Sequence, residues 1–244
     1  VLAISADMLR VERLPLKPVD FEELATVLSS CTSITSWVIS GAIGDQFIVP
    51  LLAGLGGPAG GAVKRLEVTG SEEIGKSSMA RLKQVAETNR RLEEAGASPM
   101  AMRELVVADC LLTSVGVKEV SLMLQSVHTG MTALELTHVM NSGAGGALKE
   151  LGGVLRLPRY TQHLASLSLS SNELGAVGTK ELGGWIRSAS ALRKLEAANN
   201  KLDCAVLLEA ISVNDALVAS LELLDISQNK LGTKGASTLG DVLK

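Results

Sequence analysis

The chain has 244 residues, enough for a substantial core, and a net charge of −3, which argues against a global pull toward nucleic acid or anionic membrane. Aromatic residues make up 2% of it, so base-stacking and sugar-binding platforms are disfavoured and leucine, valine and alanine must build the core. No run of about 18 apolar residues occurs, so no membrane span is expected. Cys31, Cys110 and Cys204 are scattered without C-x-x-C spacing, which points away from a disulfide framework or zinc site and toward a reducing, cytoplasmic setting.

Taken in order, the chain repeats a short segment of alternating apolar residues. With the middle apolar residue as the register mark, these segments centre on Leu2, Trp37, Leu66, Leu105, Leu134, Leu167, Leu195 and Leu224, which predicts about eight repeats in one domain over 1–244. The intervals are 35, 29, 39, 29, 33, 28 and 29 residues, so a base period of 28–29 leaves room for a full helix after each strand. The long intervals place insertions at 10–20, in an extended helix from about Lys76 to Glu94 with its polar tail, and at Pro158–His163. Asp20 reads as the N-cap of a helix that buries Phe21, Leu24, Val27 and Leu28. In the helix of about Lys76 to Glu94, Met79, Leu82 and Val85 face inward.

The second half of each unit is equally regular. Leu174-Gly175-x-x-Gly178-x-x-x-Leu182-x-x-Trp185-Ile186 matches Leu231-Gly232-x-x-Gly235-x-x-x-Leu239-x-x-Val242-Leu243, and Leu112, Gly116, Val120, Met123 and Leu124 repeat the offsets. Apolar residues three to four apart put one stripe of each helix on the sheet. Asn172, Asn200 and Asn229 sit at the strand exits, where an amide can satisfy backbone groups of adjacent turns. Cys110 takes that position in its own repeat and is expected to be structural.

One stretch offers a different chemistry. Gly70-Ser-Glu-Glu-Ile-Gly75-Lys76-Ser77 fits the G-x-x-x-x-G-K-[ST] phosphate-binding pattern after a strand and before a helix, and Asp109 ends an apolar strand as a magnesium-holding acid would. The same residues fit the repeat register, and Glu72 and Glu73 would face a phosphate with the wrong sign. His128, His138 and His163 lack metalloprotease spacing and no G-x-S-x-G elbow exists, so no catalysis, metal or cofactor is expected.

What remains is the outward face of the strands. Arg65, Glu67, Glu104, Asp109, Glu135, His138, Lys194, Glu196 and Asp225 are the candidate protein-binding residues, six acids opposing two bases beside one histidine. Such a face would steer and hold a protein partner with a basic surface. It carries no cluster of Trp, Tyr and Arg to mark an energetic hot spot.

The segments L-A-S-L-S-L-S-S-N-E-L (Leu164–Leu174), L-R-K-L-E-A-A-N-N-K-L (Leu192–Leu202) and L-E-L-L-D-I-S-Q-N-K-L (Leu221–Leu231) share the L-x-x-L-x-L-x-x-N-x-L spacing. With the following G-x-x-G-x-x-x-L they resemble the ribonuclease-inhibitor-like leucine-rich repeats. That resemblance implies an α/β right-handed solenoid, a horseshoe with a parallel sheet on the concave side, helices on the convex side, and a protein-binding function. The unequal early units look like the CARMIL family of actin capping-protein regulators, which implies a scaffold in cytoskeletal or signalling assembly with cytoskeletal partners. The Ran GTPase-activating proteins share the unit as well, which would imply an accessory of GTP hydrolysis, but no residue of this chain can be assigned to their arginine finger. A purely structural spacer is the remaining alternative. The opening Val1 and the uncovered apolar residues at both ends lead us to expect a piece of a longer chain.

Overall fold

The computed structural model describes residues 2–12, 17–41, 43–56, 58–71, 75–96, 100–127, 130–140 and 145–242. The chain forms two compact units, Val1–Thr129 and Gly130–Lys244. Both are α/β, with strands joined in chain order and largely parallel.

In the first unit the order is β1 (Leu2–Ile4), β2 (Met8–Glu12), α1 (Pro18–Leu28), β3 (Ser36–Ser40), α2 (Asp45–Ala53), β4 (Arg65–Ser71), α3 (Lys76–Glu94), β5 (Glu104–Cys110) and α4 (Thr113–Ser126). Leu9, Trp37, Leu66 and Leu105 lie side by side in parallel register, and each is fully buried. Period 2 then buries Val11, Ile39, Val68 and Val107 on the same face, against helices that pack successively, α1 on α2, α2 on α3 and α3 on α4. Phe21 of α1 and Phe47 of α2 meet with ring centroids 5.3 Å apart.

The register corrects the start of the chain. Leu2 is not the first repeat mark, because β1 runs antiparallel to β2, with Leu2 opposite Val11. The mark is Leu9, one 28-residue step before Trp37, so residues 10–20 hold no insertion. Helix α1 begins at Pro18 after Lys17, and Asp20 stands three positions inside, accepting a 2.7 Å bond from the Lys17 N–H rather than serving as the N-cap itself. Val27 is 64% exposed, and Ala25 takes the buried place beside Phe21 and Leu28. Helix α3 spans the predicted Lys76–Glu94, with Met79, Leu82 and Val85 buried.

The second unit runs β6 (Ala133–Thr137), α5 (Gly145–Leu155), α6 (Pro158–Thr161), β7 (Ser166–Ser168), α7 (Gly175–Ile186), β8 (Lys194–Glu196), α8 (Cys204–Ser212), α9 (Asp215–Ser220), β9 (Leu223–Asp225) and α10 (Gly232–Val242). Leu134, Leu167, Leu195 and Leu224 form the register row. The expected insertion at Pro158–His163 is in part the short helix α6. Helix α9, capped by the Asn214 side chain on the Leu217 N–H at 3.2 Å, is not announced by the repeat spacing.

Asparagines close the strand exits as the spacing predicts. Asn172 accepts from the N–H groups of Val139 (2.8 Å) and Met140 (2.9 Å), and donates to the carbonyls of Leu136 and Leu169. Asn200 accepts from the Asn172 N–H at 2.7 Å, and Asn229 from the Asn200 N–H at 2.9 Å. Cys110 fills this place in the first unit, buried, with its thiol 3.2 Å from the Ala108 carbonyl.

Directly before each of these positions the chain turns through positive φ, at Asp109, Ser171, Asn199 and Gln228, and it does so at His138, before Val139, as well. Three residues after the ladder position it does so again, at Thr113 (φ 58°), Gly175 (φ 56°) and Gly232 (φ 63°). A β-branched residue is strained in that region while glycine is not. Thr113→Gly is therefore expected to stabilise the chain by about 1 kcal/mol, the relief of strain exceeding the added unfolded-state entropy. A higher urea midpoint at unchanged slope would bear this out, and a lower midpoint would refute it.

Candidate interaction surface

On the first unit the outward residues of the strands form rows that the register aligns: Met8, Ser36, Arg65 and Glu104, then Arg10, Val38, Glu67 and Val106. Arg65 forks between two carboxylates, with Nη1 2.7 Å from Glu104 Oε2 and Nη2 2.9 Å from Glu67 Oε2. Hydrogen bonds donated to Glu67 and then Glu104 raise the guanidinium's already high pKa. The corrected register brings Arg10 into the central row, and Glu12 lies 3.6 Å from it. Counting back one period from Val38 would have found it. The first unit is accordingly less acidic than a count of its acids suggests.

On the second unit the rows are Ala133, Ser166, Lys194 and Leu223, then Glu135, Ser168, Glu196 and Asp225. Lys194 pairs with Glu196 at 2.9 Å, and Thr137 and Ser168 share a 3.0 Å hydroxyl bond. Side-chain and backbone bonds from Ser227 hold the Asp225 carboxyl below its ordinary value, the backbone N–H lying 3.0 Å from the carboxylate. Leu223 is 41% exposed beside Lys194, an apolar position outside the predicted set although the register assigns it outward. Asp109 and His138 stand on the strand-exit turns with positive φ, where short polar residues are favoured for backbone reasons alone.

The glycine–lysine–serine pattern of 70–77 is placed at the start of α3, with Glu72 and Glu73 outside the described residues. Its amides have a resident anion. The Asp45 carboxylate accepts from the N–H groups of Gly75 (3.0 Å), Ser77 (3.1 Å) and Ser78 (3.1 Å), and from the Ser78 hydroxyl at 2.5 Å. Those donors are the ones a phosphate would need. Burial on its own would raise the Asp45 pKa, but the bonds from Gly75, Ser78 and Ser77 outweigh it and hold the carboxyl below its usual value. The sign follows directly. A lowered folded-state pKa contributes stability that is complete above the unfolded value of about 3.9 and is lost as pH falls through the lowered one. Asp45→Ala is expected to cost about 2 kcal/mol at neutral pH. It should also flatten the fall in stability on acidification below about pH 4. An unchanged acid profile would show that Asp45 is not the cap.

The three cysteines are free, Cys110 and Cys204 buried and Cys31 partly so. Among the described residues no group of three or more His, Cys, Asp and Glu side chains could hold a metal ion, and no helix is long and apolar enough to cross a membrane.

Residues 161–183 and 219–240 each match the leucine-rich-repeat family, so the chain carries leucine-rich repeats. No curated protein matches it significantly. Overlaid on solved structures, it is similar at a low level to an isomerase from Streptomyces coelicolor A3(2), at 11% identity and a TM-score of 0.31 over 90% of this chain and 54% of that one. An enolase (putative sugar isomerase) from the same organism gives 13% and 0.31 over 93% and 53%. A dipeptide epimerase from Enterococcus faecalis V583 gives 8% and 0.27 over 93% and 53%. The chain spans about half the length of each of these enzymes, and at such scores the likeness carries no weight for fold or chemistry.

Proposed function

We propose that the outward strand faces form a protein-binding surface and that the chain acts as an interaction scaffold without catalysis of its own. The observation that carries this reading is the pair of leucine-rich repeats in a chain whose outward rows hold solvent-accessible charges: Arg10, Arg65, Glu67 and Glu104 on one unit, and Glu135, Lys194, Glu196 and Asp225 on the other. Parallel strands with their helices on one side leave the other face free to meet a partner. Within this reading the repeats of each unit stack as turns of a right-handed solenoid with the strands on the concave side. The similarity of repeat style to the CARMIL-type regulators makes cytoskeletal or signalling assembly in the cytoplasm the expected setting, and the free cysteines fit it.

The triple variant Glu67→Lys, Glu135→Lys, Glu196→Lys tests the assignment. Exposed pairs contribute little to folding, so thermal unfolding should move by no more than a few degrees while partner capture from lysate falls. Equal capture by wild type and variant would remove the strand face from consideration. Nucleotide binding at 70–77 competes poorly with this reading because Asp45 already holds the amides. Magnesium with ATP or GTP at millimolar concentration is accordingly expected to leave the melting temperature where it is. A rise abolished by Lys76→Ala would reverse that order of preference.

A further inference from the structure

A second surface lies on the helical side of the second unit, in a groove of about 680 Å³ between α7 and α8. Its floor is apolar and low. Gly183 is buried against α8, the Arg156 guanidinium lies beside Gly184, and Val206 of α8 is 40% exposed within the groove. A Cβ added at Gly183 would touch three α8 side chains, Val206 Cγ1 at 3.8 Å and Ala210 Cβ and Leu207 Cδ2 at 3.9 Å, so α7 and α8 pack closely there.

The rim has the opposite sign to the chain as a whole. Five bases line the groove against two acids, in a protein whose net charge is −3. Both acids are engaged: Glu181 pairs with Arg156, and Asp203 caps α8 by accepting from the Ala205 N–H at 3.0 Å. Lys201 reaches out of the groove to Glu173 at 2.8 Å. Three cations, Lys180, Arg187 and Lys230, are exposed and have no acidic partner among the described residues. Unmatched positive charge of this kind sets the sign of what can dock.

We propose that this groove docks an acidic peptide segment of a partner protein, with an aliphatic side chain on the Val206 floor and carboxylates on Lys180, Arg187 and Lys230. The exposed aliphatic Val206 on the floor favours a peptide over a nucleic acid, whose backbone carries no aliphatic side chain to cover it. Among the described residues no aromatic side chain lines the groove for a base to stack on. This assignment is independent of the strand-face reading.

Fluorescence polarisation with a labelled peptide of alternating glutamate and leucine tests it directly. Wild type should bind, and binding should weaken on moving from low to physiological salt. Lys180→Glu, Arg187→Glu, Lys230→Glu together should lower affinity by about tenfold or more, on the order expected for charge reversal at a docking rim. Val206→Glu, which puts a like charge on the exposed floor, should lower it comparably while the melting temperature holds. The strand-face variant Glu67→Lys, Glu135→Lys, Glu196→Lys should bind the peptide as wild type does. Undiminished binding by the charge-reversed triple or by the Val206→Glu variant would overturn the proposal. Tighter binding to a single-stranded oligonucleotide or to phosphatidylserine vesicles than to the peptide would do the same.

Discussion

Asn172→Ala is expected to lower stability by roughly 3–5 kcal/mol and the melting temperature by on the order of 10 °C. The side chain is 1% exposed and bonds four backbone groups, the N–H of Val139 and Met140 and the carbonyls of Leu136 and Leu169. Alanine would leave these groups dry and unpaired, which costs about 1–3 kcal/mol each before relaxation. Asn172→Asp should be no better, because a carboxylate keeps the acceptor but loses both donor bonds and buries a charge. Asn229 makes a comparable set of bonds in a half-exposed position, so water can replace them, and Asn229→Ala is expected to cost only about 1–2 kcal/mol. Equal losses at the two positions, measured by urea denaturation, would rule out burial as what separates them.

Gly60→Ala should be the comparably damaging change in the first unit. The new Cβ would overlap the Leu55 carbonyl oxygen and lie 2.8 Å from Asn89 Nδ2, itself buried and donating to the same carbonyl at 3.0 Å. The obstacle is main chain rather than a flexible tip, so the turn between α2 and β4 must move and the Asn89 bond is strained or lost. A loss of about 3 kcal/mol is expected. Gly56→Ala, four residues earlier, meets nothing within 4 Å and should change stability by less than about 0.5 kcal/mol. Matching effects from the two substitutions would place the cause in glycine's backbone freedom, not in the crowding at Leu55.

The parts of the molecule legible in the sequence are those fixed by local periodicity. Leu66, Leu105, Leu134, Leu167, Leu195 and Leu224 mark their strands because leucine recurs at the same inward position of each, and α3 is bounded by its own apolar stripe. The chain start misleads because Leu2-Ala3-Ile4 and Leu9-Arg10-Val11 alternate equally well, and Arg10 makes the true strand look less apolar. Strand direction, which separates the two, is a pairing property that no single strand carries. Counting finds the strand-face acids, but counting does not reveal that Glu67 and Glu104 share Arg65 or that Glu196 holds Lys194. Asp45 stands 30 residues before Gly75, so the anion seated on the α3 amides is invisible to any motif read within 70–77. The α7–α8 groove is likewise assembled from side chains one repeat apart, each an ordinary exposed residue in its own helix.

The asparagines also impose an order on the birth of the second unit. Asn172 closes the exit of the strand before it, Asn200 closes that of Asn172, and Asn229 closes that of Asn200. Each closing side chain is thus made one repeat later than the backbone it serves. On a translating ribosome every repeat therefore stays unlatched until its successor has left the exit tunnel, and locking trails synthesis by a full period.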